Sequence, residues 1–376
     1  MMRIGNLVYV LLSGLILTQS CHTKHLNTTH IASTPEGIEQ IIDWHYQEHK
    51  IPAISAALIL EENVYFINRG LKEKGDSLKV DQSTLYQIAS LSKTFTGIIL
   101  RGLVEEKRID PEVSITPFLE EDLPQEVLAR LEKIKIADLV FHTSGLPQRA
   151  ENLKRKPLGG AVKEPYSKEQ LLTDLAEADL QFEAGTGWAY TNLGYAFLGY
   201  ILEQQTGQSY EELLQAYVIQ PNELEKTSTA LSPAERSLLA TPYHPVFGTK
   251  TSDSSFGLHT AASGIYSSTE ELAKLMQRQL AAYQNADSIT FEPLWITEEV
   301  VGNGPVAYGY GIFKNTKDYR GQTHTYIAQG GDADGYVSQY GFLPEKKAGI
   351  ILLSSSGGKW FWEMEQLILE KLMALN

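Results

Sequence analysis

Cysteine is all but missing from this chain. Cys21 is the only one, so no disulfide can form within the 376 residues, and the fold must be held by burial. Basic charge is also short: 32 Lys and Arg stand against 46 Asp and Glu, a formal charge of -14. The longest basic cluster is Lys154-Arg155-Lys156, and such a surface repels phosphate backbones, so nucleic acid is not an expected partner. No apolar stretch approaches the ~20 residues of a membrane-spanning helix. Internal repeats and low-complexity tracts are absent, and no G-x-G-x-x-G follows a strand pattern. Among nine histidines there is no H-E-x-x-H; His22/His25 and His45/His49 do not make a metal site, and the sequence does not decide the pair His142 and His324. Neither a metal nor a cofactor is expected.

What is present is a globular composition, 43% hydrophobic and 21% charged, in a chain long enough for a large apolar core. The first residues carry Arg3, an apolar stretch from Leu7 to Leu17, and then Thr18-Gln19-Ser20-Cys21. That outline is a secretion signal. Cysteine at its end resembles the lipid-attachment site of bacterial lipoproteins, although Thr18 stands where those usually carry Leu. The alternative is a plain signal cut nearby. The reading is a signal over 1–20, a tether over 21–33 and one catalytic domain over 34–376, placed outside the cytoplasm, secreted or lipid-anchored in a bacterial cell envelope.

Ser33 with Glu36 three places on reads as a helix start, followed by Ile38, Ile41, Ile42 and His45 at helical spacing. Apolar runs at 54–60 and 64–67 form a hairpin around Glu61-Glu62-Asn63. Helices are expected from about Ser90 to Glu105, at 168–178, at 192–205 before Gly207, and at 269–284 behind the capping pair Ser268 and Glu271. Short β-prone runs follow at 308–312, 323–328, 336–343 and 349–354, before a closing helix at 360–375. The fold class is therefore α+β. One antiparallel sheet is built from N- and C-terminal segments and flanked by helices, with a mainly helical middle lobe over about 110–285.

Three constellations can carry chemistry. In Ser90-Leu91-Ser92-Lys93, positions i and i+3 share a helix face, so Lys93 can take the proton of Ser90. A first-turn N–H is free to hold an oxyanion. Ser92 is one place from Lys93 and faces away, while a cap followed by a solvated lysine is the plain structural alternative. Tyr190-Thr191-Asn192 offers a phenolate that relays protons beside a cation, next to an amide that binds a carbonyl; a turn with Asn192 as a helix cap is the alternative. Gln329-Gly330-Gly331 lies near a strand end, where two glycines permit close approach or simply a turn.

In that order the three segments resemble the motifs of the penicillin-recognising serine hydrolases. The Tyr-x-Asn form is similar to the branch of class C beta-lactamases, D-alanyl-D-alanine carboxypeptidases, D-aminopeptidases and carboxylesterases. Ala89 to Gly97, His142-Thr143-Ser144-Gly145-Leu146-Pro147, Ala262 to Ser267 and Tyr308 to Gly311 extend the likeness over about 35–372. The resemblance implies a beta-lactamase/transpeptidase-like fold and an acyl-enzyme mechanism. Ser90 would be the nucleophile, Lys93 its base partner, Tyr190 the proton relay and Asn192 the amide-binding residue. The N–H groups of Ser90 and Asp332 would form the oxyanion hole. His142 falls in what the family uses as a structural turn.

One position departs from the family. Gln329 stands where relatives usually carry Lys or His, a cation that holds a substrate carboxylate and tunes the tyrosine. The expectation is an extracytoplasmic serine hydrolase for amide or ester bonds, monomeric, acting on a small molecule or peptide. The alternative is a catalytically silent cell-wall peptide binder on the same scaffold. The cleft walls are expected from 148–180 and 232–260, with Trp188 either lining the cleft or buried.

Overall fold

The runs Ala53–Leu60, Tyr336–Leu343 and Ala348–Ser354 are apolar at nearly every position and buried along nearly their whole length. A strand can be apolar on both faces only if both are covered, so these three must lie inside a sheet with a layer on each side. The computed structural model, which describes residues 26–156, 161–284, 295–297 and 306–375, has this arrangement. Ten strands are named: β1 Ala53–Leu60, β2 Asn63–Gly70, β3 Tyr86–Gln87, β4 Tyr266–Ser267, β5 Trp295–Thr297, β6 Val306–Tyr308, β7 Phe313–Tyr319, β8 Gln322–Ala333, β9 Tyr336–Leu343 and β10 Ala348–Ser354. Eight of them form one antiparallel sheet in the order β2-β1-β10-β9-β8-β7-β6-β5, while β3 and β4 pair separately.

Register assigns the two faces. Gly349 pairs with Phe342, and a Cβ at Gly349 would meet Met276 Sδ, so this face carries the helix Thr269–Gln284. Gly330 pairs with Gln339, an odd number of places from Phe342, and lies against Trp362 of the helix Lys359–Met373. The opposite face therefore carries that helix, which also packs on Pro35–Glu48. The compact unit that holds the sheet begins at Ile31, inside the tether expected over 21–33: the Ile31 carbonyl accepts from Lys371 Nζ at 2.8 Å.

Several boundaries differ from the sequence pattern for local reasons. Thr34, not Ser33, caps the first helix, because Pro35 fits the first helical position and leaves Thr34 Oγ1 to accept from the Gly37 N–H at 3.3 Å. The expected strand at 308–312 is a turn: Gly309 to Gly311 reverses the chain between β6 and β7, with Gly311 at φ +78°. The strand β7 was not expected, since FKNTKDY is polar and mostly half-exposed. Asn192–Thr206 ends at Gly207, which takes the left-handed conformation of a C-cap (φ +69°). Helices of the middle region, chiefly Ser92–Glu105, Asn192–Thr206 and the short Thr260–Ser263, pack on one another beside the sheet. Cys21 and the expected signal lie outside the described residues.

Candidate active site

Ser90 sits in a tight turn, Ala89–Leu91, that leads into the helix Ser92–Glu105. Ala89 just before it has φ +50°, a left-handed conformation that costs a residue with a Cβ about a kcal/mol or more. Such strain persists where the surroundings enforce it. Here the enforcing element is β8. A Cβ at Gly331 would stand 2.8 Å from Ser90 N and 2.5 Å from Ile88 O, so only glycine lets the strand lie on the Ser90 turn. The glycine pair thus serves packing against Ser90 on one face and Trp362 on the other.

Lys93 is fully buried one turn along, and its amine meets three groups. Asn192 Oδ1 is at 2.7 Å, the Ala262 carbonyl at 2.8 Å and Ser90 Oγ at 3.4 Å. Burial drives its pKa well below the ordinary 10.5. A neutral amine has two N–H donors and one lone pair. Two of its neighbours can only accept, and the third, Ser90, carries a hydroxyl proton. An amine that has given up its proton can donate to the first two and turn its lone pair to Ser90.

Tyr190 lies over the same group, its ring centroid 4.9 Å from Lys93 Nζ. Burial pushes its phenol up to about 12, while Ser90 and the Gln329 amide, facing the hydroxyl, pull the other way. It is therefore a neutral O–H donor, not the phenolate that the motif suggests. Gln329 is 3% exposed; its Nε2 donates to the Gly330 carbonyl at 2.8 Å, and its Oε1 has no hydrogen-bond partner. Beyond Ala328 the strand β8 pairs only with β9 among the described residues, so 329–333 forms an open edge beside Ser90.

A cleft of about 530 Å³ opens above these groups. Of the residues singled out from sequence, Ser90, Asn192 and Asp332 line it; Lys93, Gln329 and Gly331 are buried, and neither they nor the half-buried Tyr190 and Gly330 belong to its lining. The remaining lining comes from Gln148 to Glu151, Leu153, Arg155, His259, Ser263, Ala333 and Asp334. Most of it falls in the two stretches where walls were expected, but no motif marked the individual residues. Arg155 forms an ion pair with the fully buried Asp334. His259 is 3% exposed, and burial together with Lys93 and Arg155 lowers its pKa to about 3, so it faces the cleft uncharged. Trp188 packs edge-on to His142, Tyr308 and Phe313, and is not part of this lining. His324 belongs elsewhere, with Nδ1 3.2 Å from Glu345. No group of three or more His, Cys, Asp or Glu among the described residues could hold a metal ion.

Comparison with known proteins agrees with this geometry. The family described as "Beta-lactamase" matches residues 38–367. A protein named "Beta-lactamase" from Escherichia coli (strain K12) is 26% identical over 303 residues, 78% of this chain and 70% of that protein. "Protein flp" from Staphylococcus aureus (strain NCTC 8325 / PS 47) is 24% identical over 332 residues, 86% of this chain. The chain spans 63% of the length of that relative. A solved structure described as the octameric penicillin-binding protein homologue from Pyrococcus abyssi superposes with a TM-score of 0.77. It is 24% identical, and the match covers 91% of this chain and 78% of that one. The expectation of a monomer is corrected here: a protein of this fold is described as octameric, so the fold does not imply a monomer, and no residue pattern had called for one. Among the described residues no helix is long and apolar enough to cross a membrane. The α+β fold, the matched span and the relatives agree, and the chain belongs to the beta-lactamase family, related to class C beta-lactamases and penicillin-binding proteins.

Proposed function

We propose that the protein is an extracytoplasmic serine hydrolase that cleaves amide or ester bonds through an acyl-enzyme on Ser90. The observation that carries this reading is the set of partners around Lys93. Two acceptors hold a buried amine so that its lone pair meets the Ser90 hydroxyl. Ser90 Oγ bonds to the substrate carbonyl carbon while its proton passes to the Lys93 amine. The carbonyl oxygen takes up the negative charge between the N–H groups of Ser90 and Asp332. As the second residue of its turn, Ser90 has no intrahelical acceptor for that N–H. Tyr190 gives its proton to the leaving nitrogen or oxygen and recovers one from Lys93, so the amine is neutral again. Water then attacks the acyl-enzyme along the same route. Asn192, fixed by Lys93 through its Oδ1, presents its amide N–H₂ to the acyl side of the substrate.

Labelling with a fluorescent acyl-phosphonate tests the reading. Wild type should label once per chain and Ser90→Ala not at all. A wild type that resists the probe points to the silent peptide binder instead, the reading that Gln329 favours, since an amide stands where related proteins carry a cation. We also propose lipidation of Cys21 and a tether up to about residue 30. Cells fed a fatty-acid analogue should label wild type and not Cys21→Ser; equal labelling removes the anchor.

A further inference from the structure

His142 lies beneath the site and takes no part in the steps above. We propose that it is a positioning residue: its Nδ1 accepts the Thr191 N–H and so sets the register of Tyr190-Thr191-Asn192 against Ser90 and Lys93. This rests on the roles proposed for Tyr190 and Asn192.

The segment carrying those two residues has a template. Ala189 N donates to the His142 carbonyl at 2.9 Å, and Asn192 N to the Gln148 carbonyl at 2.8 Å. Thr191 Oγ1 donates to the Pro147 carbonyl at 2.7 Å. Between them, Thr191 N donates to His142 Nδ1 at 3.1 Å, the one place where a side chain supplies the acceptor for this segment's backbone. Thr191 and His142 are both fully buried, so no water can replace that acceptor. Thr191 joins the residue over Lys93 to the residue bonded to Lys93; a shift there moves both.

Accepting on Nδ1 requires the lone pair at that nitrogen and the proton on Nε2. Burial first, and Lys93 second, hold the imidazole neutral, with its pKa well below the ordinary 6.5. Nε2 is buried without a hydrogen-bond partner, and the imidazole packs among rings, centroid to centroid 4.4 Å (Tyr190), 4.7 Å (Tyr308), 5.0 Å (Tyr195) and 5.8 Å (Trp188). A competing account makes the ring mere filling for this aromatic box. The two accounts rank substitutions in opposite order. Phenylalanine keeps the ring and loses the acceptor. Asparagine loses the ring, but its Oδ1 stands where Nδ1 does, and it tolerates the φ of +62° found at this position.

The experiment compares wild type, His142→Phe and His142→Asn in acyl-phosphonate labelling rate, nitrophenyl-ester kcat and KM, and thermal midpoint. A misplacement of the order of 1 Å costs ~100-fold, so His142→Phe, though folded, should lose about 10- to 100-fold in labelling rate and kcat with little change in KM. His142→Asn should stay within about 5-fold of wild type, even if it melts lower. A folded His142→Phe with wild-type kcat, or a folded His142→Asn no better than it, overturns the proposal. Nitrogen-15 histidine spectra of the wild type need no variant: His142 should show an unprotonated Nδ1 and a protonated Nε2, and the opposite tautomer also overturns it. A wild type that does not label at all would instead sink the proposed hydrolase, leaving the tautomer measurement to decide on the hydrogen bond.

Discussion

Between Tyr326 and Ala333 the two faces of β8 treat their polar groups differently. Toward the helix Lys359–Met373, Tyr326 donates to Glu365 Oε1 at 2.7 Å, and Gln339 Nε2 donates to Tyr326 Oη at 3.1 Å and Glu365 Oε1 at 3.3 Å. That network is paired and buried. Toward Ser90, Gln329 Oε1, His142 Nε2 and His259 Nδ1 have no partners, and Ala89 and His142 hold left-handed backbones. A buried unpaired polar atom costs roughly 1–3 kcal/mol. This part of the strand thus has a face that holds the fold and a face where stability has been given up around Ser90.

The sharpest way to break this contrast is to remove the amine. Lys93→Met should lower acyl-phosphonate labelling and ester turnover by about 10³-fold or more, the scale of a general base. Its thermal midpoint should change little, because burying an apolar chain in place of an amine offsets the bonds lost to Asn192 Oδ1 and the Ala262 carbonyl. In the wild type, acylation should grow as pH rises through the depressed Lys93 pKa, since only the unprotonated amine accepts from Ser90. A Lys93→Met protein that keeps its rate would move the base elsewhere. On the other face the reverse is expected. Glu365→Leu leaves Tyr326 and Gln339 without their shared acceptor, a loss of about 2–3 kcal/mol in urea unfolding, with kcat per folded molecule unchanged. A fall in kcat would show that the faces are coupled.

How much of this could be read from sequence follows from the range of the interactions. The helix Asn192–Thr206 and the central strands were legible, since burial on one or two faces writes its own periodicity. The polar β7 was not, because it takes its place by pairing with β8. Ser90, Lys93, Tyr190 and Asn192 were legible as local motifs, and the structure brings them together at one cleft. The state of the tyrosine was not, because depth of burial decides it: a protonated Tyr190 stands where the motif suggests a phenolate, while the lowered pKa of Lys93 agrees with the base read from Ser-x-x-Lys. His259 and the Arg155–Asp334 pair had no sequence signal, since partners 179 places apart meet only in the fold.

The next prediction moves from the strand to histidines buried without charge on either side of it. His45, in the helix Pro35–Glu48, has its pKa lowered to about 4, first by burial and then by His49. Neither ring nitrogen has a hydrogen-bond partner. A histidine that binds its proton less well when folded favours the unfolded chain once that chain is protonated. Its neutral-pH stability is therefore intact above about 6.5 and is lost as pH falls toward about 4. His259, lowered to about 3, adds to the same limb. Urea unfolding at pH 7.5 and pH 4.5 should show His45→Phe recovering about 2 kcal/mol of the acid loss. Equal losses in variant and wild type would place the acid sensitivity elsewhere.

The smallest effect concerns Gln329, where the reactive face lacks the cation that related proteins usually carry. Its side chain is buried beside the Tyr190 hydroxyl, and its one observed donor bond turns back to Gly330. A charge-assisted bond to a substrate carboxylate is therefore absent from this position, a deficit of about 1–2 kcal/mol in transition-state binding. At 1.36 kcal/mol per decade that is roughly 5- to 30-fold in kcat/KM, enough to bias substrate choice but too little to abolish acylation. Gln329→Lys and Gln329→His should raise turnover of a chromogenic cephalosporin or a D-Ala-D-Ala peptide relative to a short-chain nitrophenyl ester. A cation here would also lower the Tyr190 pKa from about 12, so both substrates must be compared at one pH, where that change acts on each alike. Equal changes for the two substrate classes would mean that position 329 tunes the tyrosine and does not read a carboxylate. Efficient cephalosporin turnover by the wild type would place the carboxylate-binding charge elsewhere, with Arg149, an exposed guanidinium on the same cleft wall as Ser90, the first residue to replace by alanine.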